Sequence, residues 1–386
     1  MKYTLPVLFV YFASGASAAP TQTQGASIDA SVVIGAYADH VFQSYTATHA
    51  ATQRLQLAIS DFVKNPTAKT LDAAKTAWTT ARILYGETEA FRFYAGPIDA
   101  APSAGRPEGP EGRINAWPLN EAYIDSVKGR LQGGIISDLK VPLTEKALAD
   151  RNAQNDEANV TLGWHAIEFL LWGQDFSKDG PGMRPVTDFI GDDAIKERRR
   201  TYLRVVTDIL VKDLALLVDA WAPGQTNYRK EFLDLPSTVA LGHIVTGLAT
   251  LSGFELASER IGVPLDSRSQ EDEHSCFSDT THNDYAANAA GISKTYFGAP
   301  GKQSVSLAAF VRAHAPKTAP ALEAAIRGST QLAGSIESPV DQTLLAPDTD
   351  PRRQKLQTLS TQLVAQAELL KTLSGPLSIS VQVSGE

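Results

Sequence analysis

One histidine and one glutamate stand inside an otherwise apolar run, Gly163-Trp164-His165-Ala166-Ile167-Glu168-Phe169-Leu170-Leu171-Trp172-Gly173. The run predicts a helix that is hydrophobic on all sides and therefore buried. His165 and Glu168 point the same way from adjacent turns. An ionised carboxylate buried without a partner is expensive, so Glu168 must meet a cation, a donor or a proton. An imidazole nitrogen with carboxylate oxygens suits iron, zinc or manganese. The plainer alternative is a core His–Glu hydrogen bond that fixes helix packing. Two protein ligands do not make a metal site, so further groups must come from elsewhere.

A second predicted helix supplies candidates. Trp78, Arg82, Tyr85 and Glu89 fall within about 60° of one another on a helical wheel, and Glu87 points away. Charged residues on a core-facing stripe need partners. Either Arg82 and Glu89 pair with each other over the core, or Glu89 faces the same cavity as His165 and Glu168. The expected metal set is therefore His165, Glu168 and Glu89, with Trp78 and Arg82 lining the pocket.

Five further groups carry side chains that could serve such a site or the fold. Arg113 and Trp117 lie in a Gly/Pro-rich stretch, residues 97–118, and either gate the pocket or form a rigid surface loop. His274, Asp279 and His282, with Asp284, either line the pocket, bind a second ion, or staple two bundles together. Glu255, Glu259 and Arg260 read as a solvated face, as do Arg198, Arg199 and Arg200. Cys276 reads as a small buried residue, since nothing nearby in sequence orients it as a nucleophile.

Helices must position these groups, because segments of helical periodicity recur and alternating runs are scarce. They are expected near residues 28–63, 67–94, 119–132, 142–149, 156–173, 192–221, 236–261, 305–314, 318–337 and 351–374. The segment 266–298 is polar and acidic, with weak helical signals. The fold class is all-α, with two packed helical bundles over 28–223 and 228–386, divided at Pro223-Gly224-Gln225-Thr226-Asn227. A chain of 386 residues suits two domains better than one. At 43% hydrophobic and 20% charged residues it can bury a core. A net charge of −8 leaves no basic footprint for nucleic acid. A single cysteine excludes an internal disulfide and a Cys-rich metal site. No transmembrane helix is expected, since no uninterrupted apolar run reaches the length required.

The N-terminus reads as an address. Lys2 precedes an apolar stretch through Phe12, and Ala16-Ser17-Ala18 fits a signal-peptidase site, so residues 1–19 form a signal peptide. No cysteine follows for a lipid anchor. A periplasmic or secreted location is expected.

The stretch from Gly163 to Gly173 resembles the G-x-H-x-x-E signature of the imelysin family. Three more segments are similar to that family in order: Trp78 to Pro97, Gly109 to Pro118, and Glu273 to Asp284. The family comprises exported bacterial proteins, some iron-regulated and some labelled insulin-cleaving peptidases. The resemblance implies two packed helical bundles with a metal site around His165 and Glu168 near their junction. It implies a transition metal, iron ahead of zinc, and a part in iron uptake or handling beside a membrane-bound iron transport partner. The alternatives are an imelysin-type metallopeptidase and a metal-free module for a peptide or small ligand. The peptidase is chemically weaker: Glu168 cannot easily be both ligand and base, and no second histidine lies one turn from His165.

If the leader is cleaved as read, N-terminal sequencing of the exported chain begins at Ala19 or Pro20. A mature protein that still starts at Met1 refutes the signal peptide.

Overall fold

Caps and turns written into the sequence delimit most of the long helices. The computed structural model describes Met1 and residues 28–103, 107–130 and 133–383. The remainder of the expected leader, residues 2–19, lies outside the described residues. Helix α1 spans Ala30–Lys64, and the Asp29 carboxylate caps it by accepting from the Ser31 N–H. Helix α2, Ala68–Thr88, opens on a Thr67–Thr70 capping box and tightens into a 3₁₀ turn over Glu89–Phe91. Helix α3 is Gly163–Trp172. Helix α4 is Ala194–Trp221, capped by Asp193. Then follow α5, Ser237–Thr250; α6, Thr281–Phe297; α7, Leu307–His314; α8, Ala319–Ala333; and α9, Pro351–Lys371. The fold is all-α, as expected. Among the described residues there is no strand; Val127 and Arg130 form an isolated bridge.

Three departures from the expected pattern have physical causes. Helix α6 occupies the acidic stretch that showed little periodicity. Its buried face includes Asp284 and Asn288 as well as apolar side chains, so a hydrophobic reading could not find it. The helix expected over 119–132 is instead a single turn, Glu121–Ile124, followed after a break by another, Gly134–Ser137. Helix α5 does not end near 261 as α-helix. From Leu251 to Gly262 it runs as π-helix. In an α-helix residues five apart diverge by about 140°. The i→i+5 register of a π-helix brings them together, and here it lets Arg260 Nη2 donate to Glu255 Oε1 at 2.7 Å.

Helix α1 packs against α2 and α4, and α3 packs against both α2 and α4. Later in the chain α9 packs on the π-helical segment, on α5 and on α8. Helix α6 joins these two groups by lying along α2. Glycines permit that approach. A Cβ on Gly291 of α6 would lie 2.3 Å from the Glu87 carbonyl oxygen, and one on Gly86 of α2 would lie 2.8 Å from the Ala287 Cβ. One continuous helical run, Ser237–Ser267, has the length and composition to cross a membrane, but 72% of its most apolar window is buried inside the protein. That is the pattern of a core helix.

Gly291→Ala should push α6 off α2 and cost about 1–3 kcal/mol of stability in urea denaturation. A change below about 0.5 kcal/mol would mean that this contact relaxes freely.

Candidate functional site

Helix α3 starts where only glycine fits. Gly163 has φ +82°, and a Cβ there would fall 2.4 Å from the Ile114 carbonyl oxygen. Trp78 from α2 donates its indole N–H to the Trp164 carbonyl at 3.1 Å, and its ring packs edge-on against Trp164 and Trp172. Tyr85 lies on the other side of Trp164, ring centroids 5.6 Å apart. Trp78 is thus a packing residue that fixes the position of α3.

His165 and Glu168 are fully buried and directly bonded: His165 Nδ1 is 3.0 Å from Glu168 Oε2. Glu168 Oε1 accepts from the Ser278 N–H at 3.0 Å and from the Ser278 hydroxyl at 2.7 Å. Both oxygens are therefore engaged. Burial pushes the Glu168 carboxyl up to about 8, against the Ser278 hydrogen bonds and the Arg82 charge. Burial, with Arg82 and Arg260, drives the His165 imidazole well below its ordinary value, so it is neutral. Its Nε2 has no hydrogen-bond partner. The Trp117 and His274 rings flank it, each centred 4.8 Å from the His165 ring.

Arg82 does not pair with Glu89. Its Nε donates to Asp284 at 2.9 Å, one Nη to Asn115, and the other reaches His274 Nδ1 at 3.1 Å. Ser275 completes the Asp284 carboxylate by donating to its other oxygen at 2.5 Å. Glu89 is buried as periodicity predicts, but it is held by other cations. Its Oε2 lies 2.8 Å from Arg92 and 2.6 Å from Arg260, and Asn115 approaches Oε1 at 3.5 Å. Burial alone would raise this carboxyl; Arg92 and Arg260 instead hold it down at about 2. Among the described residues, His165, Glu168 and Glu89 do not bring three ligand atoms within 4.8 Å of one another.

The other candidates separate into groups. Trp117 and His274 are at the His165 ring. Arg113 faces away from it, paired with Asp213 through two bonds of 2.6 and 3.1 Å. Asp279 lies with Asp175 and Asp341. His282 is half-buried on the first turn of α6, near Asp284. Cys276 is buried and burial pushes its thiol up, so it carries no reactive thiolate.

Several partners escaped the sequence reading. Ser278 and Asn115 belong to segments that carry the family resemblance, but no spacing rule marks them. Arg92 stands three residues after Glu89, a spacing that does signal a pair. Arg260 is buried against Glu89 and Asn288 rather than solvated, because the π register turns it inward. The Arg198–Arg200 run is not a solvated face either. Arg199 is buried on Asp125, and Arg198 donates to the carbonyls of Ile135, Ile136, Asp138 and Val141.

The donor set fits a transition metal at one atom without rearrangement. His165 Nε2 is a neutral, buried imidazole nitrogen oriented by a carboxylate, the usual support of a metal-bound histidine. The neighbouring His274 is not a free donor: burial, with Arg260 and Arg82, keeps it neutral, and its Nδ1 accepts from Arg82. Glu89, saturated by arginines, does not fit.

Comparison with known proteins finds relatives of this chain. The imelysin family model matches residues 41–370. The chain is 28% identical over 319 residues to iron-regulated protein A of Synechococcus elongatus, covering 80% of this chain and 76% of that one. A crystal structure described as a "putative iron-regulated protein A precursor" from Parabacteroides distasonis superposes with a TM-score of 0.69 at 18% identity. That match covers 93% of this chain and 96% of the other, and it shows a shared fold.

Glu168 makes stability fall as pH rises. Its folded pKa of about 8 exceeds the unfolded value of 4.5, so the folded chain holds a proton that the unfolded chain has released. The contribution is complete below about pH 4.5 and is lost as pH rises through about 8. Glu168→Gln should flatten this part of the profile, measured by urea unfolding in chelator at several pH values. Parallel profiles for the two proteins would contradict a raised Glu168 pKa.

Proposed function

The chain belongs to the imelysin family, and on that footing we propose that it is an exported iron-handling protein that binds a transition metal at His165. The observation that carries this reading is the unpartnered Nε2 of a fully buried, neutral histidine whose other nitrogen is held by Glu168. His165 would hold the ion through Nε2, and His274 could join it only by giving up Arg82. Once ionised, Glu168 acts on His165 rather than on the ion, accepting from Nδ1–H and leaving the lone pair on Nε2, so loading the ion releases the Glu168 proton. Remaining positions are left to water or to ligands the metal carries. A borderline ion held by an imidazole nitrogen suits iron, with zinc as the competing ion.

The name of the Synechococcus relative supports the link to iron. Export rests on the leader pattern around Lys2 and Ala16-Ser17-Ala18. The segments 28–223 and 228–386 are taken as its two bundles, and delivery to a membrane-bound iron transporter is the expected task. A metallopeptidase finds less support. A general base near the metal would be needed, and both Glu168 oxygens are already spent on His165 and Ser278.

Protein purified without chelator should contain metal, and His165→Ala should abolish binding with unchanged far-UV circular dichroism. Glu168→Gln donates its amide N–H to Nδ1, which places the proton on Nε2. It should weaken affinity about 10- to 100-fold. Metal content and titration calorimetry with Fe²⁺ and Zn²⁺ decide. Equal binding by parent and His165→Ala refutes the assignment, and chelator-sensitive protease activity in the parent would favour the peptidase.

A further inference from the structure

Behind the Glu168 site lies a second group of acids that the His165 reading does not use. Asp175 follows the end of α3, Asp279 precedes α6, and Asp341 sits on the short helix Val340–Leu345. Each offers a carboxylate oxygen within 4.8 Å of the others. All are buried, with exposures of 5%, 6% and 0%. Glu273, also at 0%, lies against Asp341. Among the described residues no Lys or Arg forms an ion pair with any of the four.

The decisive feature is Asp341. It has no exposed surface, neither of its oxygens receives an N–H or alcohol hydroxyl donor, and it faces three other carboxyls, Glu273, Asp175 and Asp279. Asp175 Oδ2 and Asp279 Oδ1 likewise receive no such donor, and the Asp175 and Asp279 carboxyls meet each other. Four carboxylates buried together cannot all stay ionised unless a cation joins them. Contrast Glu89, whose burial is matched by two arginines. The donors are all hard oxygens, with no imidazole and no thiolate among them, which selects calcium-like ions over zinc or copper.

We propose that Asp175, Asp279 and Asp341, with Glu273 beside them, form a calcium-binding site. A calcium ion with bonds of about 2.4 Å spans about 4.8 Å between opposite ligands, the compass of this cluster. Without the ion the acids must take up protons, and burial together with Asp341 and Asp175 pushes the Asp279 carboxyl up to about 8. The ion joins the exit of α3 to the 273–279 segment, and that segment delivers His274 and Ser278 to His165 and Glu168. The site is thus structural support for the first one and needs no metal at His165.

The test uses the mature chain stripped with EDTA and freed of chelator. Calcium chloride is then titrated with melting temperature and calorimetry as readouts. The parent should bind one ion and melt about 3 °C or more higher at saturation. Asp341→Asn should lose the shift, and Asp175→Asn serves if that variant fails to fold. His165→Ala should keep it. Absence of a shift in the parent overturns the site. So does a shift retained in both aspartate variants, or a response to Mn²⁺ or Fe³⁺ with none to Ca²⁺. If the acids are merely protonated pairs, calcium does nothing and Asp341→Asn is at least as stable as the parent, which also overturns the site.

Discussion

A charge taken out of water must keep a partner, and the seam between the early and late helices is organised by that requirement. Glu89 is the pivot. It leaves the end of α2 and meets Arg92 from the following turn and Arg260 from the π-helical segment. Arg260 in turn holds Asn288 of α6, which donates to the Gly86 carbonyl of α2 at 2.9 Å. Arg82 performs the same service between Asn115, Asp284 and His274. Removing one member of such a set leaves an unmatched buried charge, which costs about 3–5 kcal/mol. Apolar helix faces slide past one another cheaply; bridged charge pairs do not, so these contacts fix the register of α2, α6 and the π-helical segment.

Two glutamates of equal burial show how partners alone decide chemistry. Glu89 touches two guanidinium groups and stays ionised into strong acid. Glu168 touches a histidine and a serine and holds its proton to about 8. The first is therefore a fixed anion that fastens helices. The second is a group whose proton can be exchanged for something else, and it controls which nitrogen of His165 carries a lone pair.

The helices and the His165–Glu168 pair were legible in the chain because local pattern suffices for both. An apolar helix with two polar residues three apart can be read without knowing its neighbours. Glu89 was legible as an inward-facing acid for the same reason. Its partner Arg92 could have been read from the three-residue spacing; Arg260 could not, because it lies more than a hundred residues away on a helix whose register departs from α periodicity. Helix α6 was hidden because its inward face carries Asp284 and Asn288, residues chosen for the buried network rather than for apolar packing. Asp279 was legible as a possible ligand of a second ion, but its companions Asp175 and Asp341 were not, because the three come from distant segments that meet only in the fold.

The complete burial of His165 and Glu168 has a consequence for rate. Nothing from solvent reaches a nitrogen with no exposed surface until the surrounding chain opens. Trp117, half-buried on its loop, and the 273–279 segment form the nearest cover. Whatever His165 holds therefore arrives and departs on the timescale of local opening, microseconds to seconds or slower, whatever its equilibrium affinity. If His165 binds an ion, the centre is a kinetic trap: the ion is retained through dilution and passing competitors, and its release requires something that opens the cover.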